Sequence, residues 1–274
     1  MALFTPSASP AVTVKEIDLT GVVPNVQTST GAFVGNFGWG PVGQATLVSD
    51  ESGLVSTFSA PTTSNTVDFH SAAYFLRYSN ALYVVREADS DAVNAVANNS
   101  NIGSVGAQTI NNLDAFEQLS LDSSDGAFIA KYPGELGNSL KISIVGSDSD
   151  TGGTTNFNAW AYKSSFDGAP GTSSFVSALG GKNDEIHVAV IDEDGFISGT
   201  AGTVLETFPF LSVASNAKSS DGTSNYYKDV LKLRSQWVYA TGGWHGVADA
   251  INGVAAIYSA PTVESGTFTL ELTD

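Results

Sequence analysis

The sequence predicts a mixed α+β, or mixed α/β, fold: a β-rich chain of two units, preceded by an extended N-terminal arm. Three observations carry that expectation. An amphipathic stretch, VDFHSAAYFLRYS (67–79), runs directly into an apolar one, ALYVVREA (81–88), and strand, helix and strand in quick order make an α/β element. Beyond residue 113, short apolar runs such as SLKISIVG, EIHVAVID and ETFPFLSVA recur between turn residues, the texture of a sheet with few helices. Ahead of both, residues 1–24 carry Pro6, Pro10 and then VTVKEIDL.

In that arm Val12 and Val14 alternate with Thr13 and Lys15, and Ile17 and Leu19 follow. The segment reads as a strand without a hairpin partner, since Pro24 and NVQTST come next. A strand with no local partner pairs elsewhere, and its open edge invites another chain. Val12, Val14, Ile17 and Leu19 are therefore the candidate assembly residues.

The first unit, 25–88, opens with GAFVGNFGWGPVGQATLV (31–48), five glycines among Phe33, Phe37 and Trp39. A short helix is expected at ESGLVSTF (51–58). In the longer helix Phe69, Ala72, Ala73 and Leu76 fall at i, i+3, i+4 and i+7, a stripe for packing on a sheet, with Asn80 as its end. Residues 89–112 are polar and glycine-spotted, with no sustained period, and read as a linker. The second unit, 113–274, begins with a helix at LDAFEQLSL. Strands are expected at AFIAKY, SLKISIVG, FNAWAYK (157–163), EIHVAVID and ETFPFLSVA, then a helix at NYYKDVLKLRS (225–235) and a strand at QWVYAT.

Composition excludes several functions. The net charge of −17 comes from 28 acids against 11 Lys and Arg, and no basic residue occurs between Arg86 and Lys131. That argues against nucleic acid as a partner, which requires clustered cations. With 0 cysteines there is no disulfide, thiolate metal site or cysteine nucleophile. No run approaches the ~18 apolar residues of a membrane helix, and the N-terminus lacks a basic region followed by an apolar one.

The search for chemistry is equally negative. GNFGWG lacks the G-x-G-x-x-G order, and GGKND (180–184) lacks the Ser or Thr that follows the lysine of a phosphate loop. His70 sits beside the stripe of its helix. His187 shares a strand face with Glu185, two ligands where a metal site needs more, and His245 lies in GGWHG. Asp192 with Asp194 in IDEDG, and Asp148 with Asp150 in SDSD, sit at turns, where Asp supplies geometry. No cofactor, metal or catalytic residue is expected, and the chain does not read as an enzyme.

Several stretches, in order, resemble a contractile bacteriophage tail sheath protein, corresponding to the N-terminal portion of that family's usual chain. They are VTVKEIDL, GAFVGNFGWGPVGQATLV, the segment STFSAPTTSNTVDFHSAAYFLRYSNALYVVREAD, AKYPGELGNSLKISIV with its Tyr-Pro-Gly-x-x-Gly-Asn turn, and DEIHVAVIDEDGFISGTAGTVLETFPFLSV. The resemblance implies that 25–88 is the first part of an inner domain completed by later chain, and that 113–274 is an outer domain. It also implies a structural subunit of the virion tail, assembled in the host cytoplasm as a helical homo-oligomer. The implied neighbours are the tail tube protein and the baseplate and tail terminator proteins. Two other readings are compatible with the residues alone: another tail or baseplate protein, or a carbohydrate-binding or depolymerising surface protein using Trp39, Trp160, Trp237 and Trp244 as sugar platforms.

Overall fold

The computed structural model describes residues 30–97, 108–121, 126–147, 154–241 and 266–272. The arm residues Val12, Val14, Ile17 and Leu19 lie outside them, as do Asp148, Asp150, Trp244 and His245.

Two sheets organise the chain, and the fold is mixed α+β as expected. The small sheet has the order β1-β3-β2, formed by β1 (Thr30–Asn36), β2 (Thr46–Val48) and β3 (Ala81–Glu87). β1 and β3 run parallel, from Thr30 opposite Ala81 to Asn36 opposite Glu87, and β2 pairs antiparallel with β3. The crossover carries α1 (Glu51–Phe58) and α2 (Thr66–Leu76). α1 starts where expected because the Asp50 side chain accepts a hydrogen bond from the Gly53 amide at 2.7 Å, an N-cap. The predicted stripe is correct: Phe69, Ala72 and Ala73 are buried with Phe37, Val48, Leu54, Phe58, Leu82 and Val84, and Leu76 packs at their edge. α2 ends at Leu76, short of Asn80. The Phe75 ring of α2 lies over Gly31 in β1, where a Cβ would come within 2.4 Å of it.

The large sheet is seven-stranded, in the order β8-β7-β6-β10-β4-β5-β9. Its strands are β4 (Val96–Ala97), β5 (Phe128–Ala130), β6 (Leu140–Gly146), β7 (Glu185–Asp192), β8 (Thr203–Ser212), β9 (Val238–Ala240) and β10 (Gly266–Glu271). All its pairings are antiparallel. Helices α3 (Leu113–Gln118), α4 (Thr155–Ala159), α5 (Ser174–Ala178) and α6 (Tyr227–Arg234) accompany it.

Three features differ from the sequence-based expectation. FNAWAYK is not a strand: residues 155–159 form α4 and 163–165 a 3-10 turn. Its aromatics also sit at helical spacing, Phe157 and Trp160 at i and i+3, and tertiary contact decides between the two periods. There the Trp160 Nε1 donates to Ser143 Oγ on β6 at 2.8 Å. β10, which sequence reading did not find, sits in mid-sheet between β6 and β4. Finally, the polar stretch 89–112 contains β4, with Asn94, Ala95, Val96, Ala97 and Ile110 fully buried. The Asn94 side chain holds that crossing, donating to the Ile110 and Ala130 carbonyls and accepting from the Ile110 amide at 2.7 Å.

Candidate functional site

Three segments far apart in sequence meet between the two sheets: the corner GNFGWGP, the end of β3, and the turn KYPGELGN. Arg86 is at their centre. β3 alternates, with Leu82, Val84 and Arg86 on its buried face, so the guanidinium enters the interior, only 5% exposed. Nε donates to the Phe37 carbonyl at 2.8 Å, Nη1 to the Gly40 carbonyl at 2.9 Å and Nη2 to the Pro133 carbonyl at 2.8 Å. Burial pulls its pKa down to about 10, which still leaves it charged at neutral pH. The planar fork spans three carbonyls in fixed directions, a task that a lysine ammonium cannot copy.

Trp39 supplies the apolar half of the joint. It follows β1 of the small sheet in sequence, yet its indole is 2% exposed and belongs to the core of the large sheet, with Phe128, Leu140 and Val238. Its ring packs on Trp237, centroids 5.0 Å apart, and edge-on against Tyr132 at 5.4 Å, while Nε1 donates to the Gln236 carbonyl at 3.2 Å. Main-chain bonds complete the seam, Val42 N to Asn111 O at 2.9 Å and Gly134 N to Val93 O at 3.1 Å, while Gly43 N to Arg86 O at 3.0 Å ties the corner to the end of β3. Gly40 has φ +101°, and a Cβ there would meet the Thr57 carbonyl at 2.9 Å. The glycine-aromatic stretch is thus a fold corner, not a ligand cradle.

The remaining candidates resolve as structural groups. His187 is fully buried. Its Nδ1 accepts from the Phe210 amide at 3.0 Å, so the proton is on Nε2, which donates to the Gly168 carbonyl at 2.7 Å. Phe166 stacks on the ring at 4.6 Å and Phe210 meets it edge-on. With both nitrogens engaged, the pairing with Glu185 does not make a metal site, and no cluster of three or more metal-ligating side chains exists among the described residues. Phe210 reaches the ring through an irregularity in β8, with φ +51°. His70 is exposed. Asp192 ties the β7–β8 hairpin by accepting from the Gly195, Ile197 and Ser198 amides, as its turn position predicts, and Asp194 accepts from the Phe196 amide. Gly180 and Asn183 of GGKND take positive φ, as a turn requires. Trp39 is too buried to be a sugar platform, and Trp160 and Trp237 are packed against neighbours.

Burial lowers the pKa of His187 from its usual 6.5. The folded form therefore prefers the neutral ring, and this group's contribution to stability is complete above pH about 6.5 and lost as pH falls through its lowered folded value. The expected result is a falling urea midpoint between pH 7.5 and 5.5 in the wild type, with a weaker fall in His187→Gln. Glu185 and Glu206, both raised by burial, act in the opposite sense at lower pH and are common to both proteins. Parallel midpoint curves would refute the assignment.

Arg86 was missed by sequence reading as a functional residue. Strand parity was the available signal, since it continues the buried positions of Leu82 and Val84. At the joint Arg86 and Trp39 fasten the two sheets through hydrogen bonds to backbone carbonyls and shared apolar packing. No helix among the described residues is long and apolar enough to cross a membrane.

No family model matches the chain. It is 31% identical over 268 residues to the tail sheath protein of Salmonella phage ViI, covering 97% of this chain and 38% of that protein. It is 43% identical over 83 residues to the tail sheath protein of Enterobacteria phage T4, or 30% of this chain and 13% of that one. The chain thus spans well under half the length of these curated relatives. The crystal structure of a sheath tail protein from Desulfitobacterium hafniense aligns over 96% of this chain and 38% of that one, with a TM-score of 0.39 and 10% identity, too slight a likeness to carry weight.

Proposed function

By sequence this chain belongs with the phage tail sheath proteins, and we propose that it is a structural subunit of a contractile sheath, polymerising around the tail tube and contracting to drive the tube through the host envelope. The observation that carries this is the 31% identity over 97% of the chain. Contraction needs two packings of one subunit that differ in contact free energy, and no bond cleavage. A subunit built for that must transmit force without bending internally. The Arg86 and Trp39 joint supports the reading, because it fastens the two sheets by hydrogen bonds and by a shared core.

Assembly proceeds through unfinished surfaces in this account. β1 is an edge strand of the small sheet, and the face of that sheet opposite α1 and α2 leaves Val34, Leu47 and Tyr83 exposed. Parallel strands are ordinarily covered on both faces. A layer from chain that the longer relatives possess would cover this one, making 25–88 the first part of an inner domain and 113–274 an outer one. The arm strand around Val12, Val14, Ile17 and Leu19 adds to a neighbouring subunit and holds it while the bodies shift. The tail tube protein, the baseplate and terminator proteins, cytoplasmic assembly, a virion location and the lack of enzymatic activity belong to the same proposal.

Deleting residues 1–22 is expected to abolish polymerisation while the rest keeps its unfolding midpoint. Electron microscopy and urea titration read the two halves of that statement, and normal tubes from the deletion would refute the arm's role.

A further inference from the structure

Residues 154–168 cross one face of β6 and β7 as a strap, carrying α4 and the 3-10 turn and pairing with no strand. Ser143 and His187 share that face, because Ser143 is opposite Ala189, two residues along β7 from His187. Trp160 Nε1 donates to Ser143 Oγ at 2.8 Å, and His187 Nε2 donates to the Gly168 carbonyl at 2.7 Å. Phe166 stacks on the imidazole and Phe157 meets it edge-on at 5.8 Å. Past the strap the chain is anchored without the imidazole. The Gly171 amide donates to the Glu185 carboxylate at 2.9 Å, and the Gly171 carbonyl accepts from the Glu185 amide at 3.1 Å.

The ring's other nitrogen accepts from the Phe210 amide at 3.0 Å, where β8 takes φ +51°. A second proton would turn that acceptor into a donor facing a donor. It would also place a cation at a site with 0% exposure, which demands water. The surrounding charges supply no counter-ion. Glu185, on the same face of β7, is turned to Gly171, and burial raises its pKa. From the β6 side Lys141 is paired with Glu193 at 2.8 Å. The strap contributes Lys163, bonded to the Asn158 carbonyl at 2.6 Å, and the exposed Asp167. β8 carries no charge from Thr207 to Ser212, and Lys218 and Arg234 line the cavity that Phe210 and Glu185 share.

We propose that His187 is an acid-sensitive latch for this strap: closed while the ring is neutral, and released when the ring takes a second proton, baring the aromatic side chains of Phe157, Trp160 and Phe166 and the strand face beneath. β7 stays in place, since the ladders to β6 and β8 hold it on both sides, whereas the strap hangs on side-chain pins. The ring's pKa is already lowered by burial from the usual 6.5, so the latch is shut at neutral pH and opens as pH falls through the lowered value.

The chain has no cysteine, so Ser143→Cys places a single thiol beneath Trp160, at a position 2% exposed. A dipyridyl disulfide labels it at pH 7.5 and 5.5, each rate being divided by that of the urea-unfolded chain at the same pH. The relative rate is expected to rise at least about tenfold on acidification, while a thiol at Ala97→Cys in β4, 0% exposed, stays protected. His187→Gln added to Ser143→Cys keeps a donor for Gly168 and an acceptor for Phe210 without a titrating ring, and is expected to remove the rise. Glu185→Gln in the same background is expected to keep it. A rate unchanged by pH, an equal rise with His187→Gln, loss of the rise with Glu185→Gln, or a matching rise at Ala97→Cys would each overturn the latch.

Discussion

Replacing Arg86 with methionine is expected to cost about 3–5 kcal/mol. The carbonyls of Phe37, Gly40 and Pro133 each lose their charged donor in a buried setting, and each buried polar group left unsatisfied costs roughly 1–3 kcal/mol. Removing a desolvated cation returns part of that sum. Arg86→Lys keeps the charge and restores only a fraction, since one ammonium cannot satisfy three carbonyls held by a planar fork. Against a typical total of about 5–15 kcal/mol, such a loss threatens folding itself. Urea unfolding followed by tryptophan fluorescence reads it well, because Trp39 and Trp237 lie in the joint. The small sheet is expected to melt separately in the methionine variant, giving two transitions in place of one. A single transition with the wild-type midpoint would show that the three bonds do not hold the units together.

Trp39→Ala is expected to cost a similar ~3–5 kcal/mol, by a different cause. The indole fills a site between Tyr132, Trp237 and the large-sheet core, and its removal leaves a cavity there together with the Gln236 carbonyl unpaired. Because Trp39 is covalently part of the small unit and packed in the large one, the deletion also loosens the connection between them. Trp39→Phe keeps most of the apolar contact and loses the indole bond, so it is expected to fall between the two. Denaturant titration of the three proteins measures the order wild type, Trp39→Phe, Trp39→Ala. An alanine variant within 1 kcal/mol of wild type would mean that the site collapses without cost, contrary to the close packing described.

Much of this fold was legible because local period and tertiary need agree. α1 and α2 follow from a cap at Asp50 and from a stripe that the sheet buries. β6 and β7 are buried on nearly every residue and carry apolar central runs, as strands covered on both faces do. The β7–β8 hairpin follows from Asp192, whose carboxylate finds the amides that the turn exposes. Where local signals were silent, partners distant in sequence made the decision. GTFTLE is the exception: Phe268 and Leu270 alternate with Thr267, Thr269 and Glu271, a strand signal that sequence reading passed over, and β10 fills the place between β4 and β6. Residues 94–97 look like linker, and become core through the Asn94 bonds and β5. FNAWAYK fits two periods; its first three residues end α4, and Trp160, extended just past that end, is bonded to Ser143 on β6.

The site was half legible in the same way. The turn Trp39-Gly40-Pro41 shows its glycine and aromatic in the sequence, and the indole closes against a core that belongs to the other sheet. The converging role of Arg86 needed the structure, since an arginine at the end of a strand ordinarily reads as a surface cation; only its parity with Leu82 and Val84 hinted otherwise. Three of the five stretches that resemble sheath proteins in sequence meet at this joint.

Sheath assembly is the central claim, and the measurement that tests it most directly is negative-stain microscopy of the concentrated chain beside size-exclusion light scattering. The account predicts stacked rings or tubes of uniform diameter, forming more readily as salt screens the net −17 charge. A folded monomer of 28.3 kDa at every concentration and salt would contradict it.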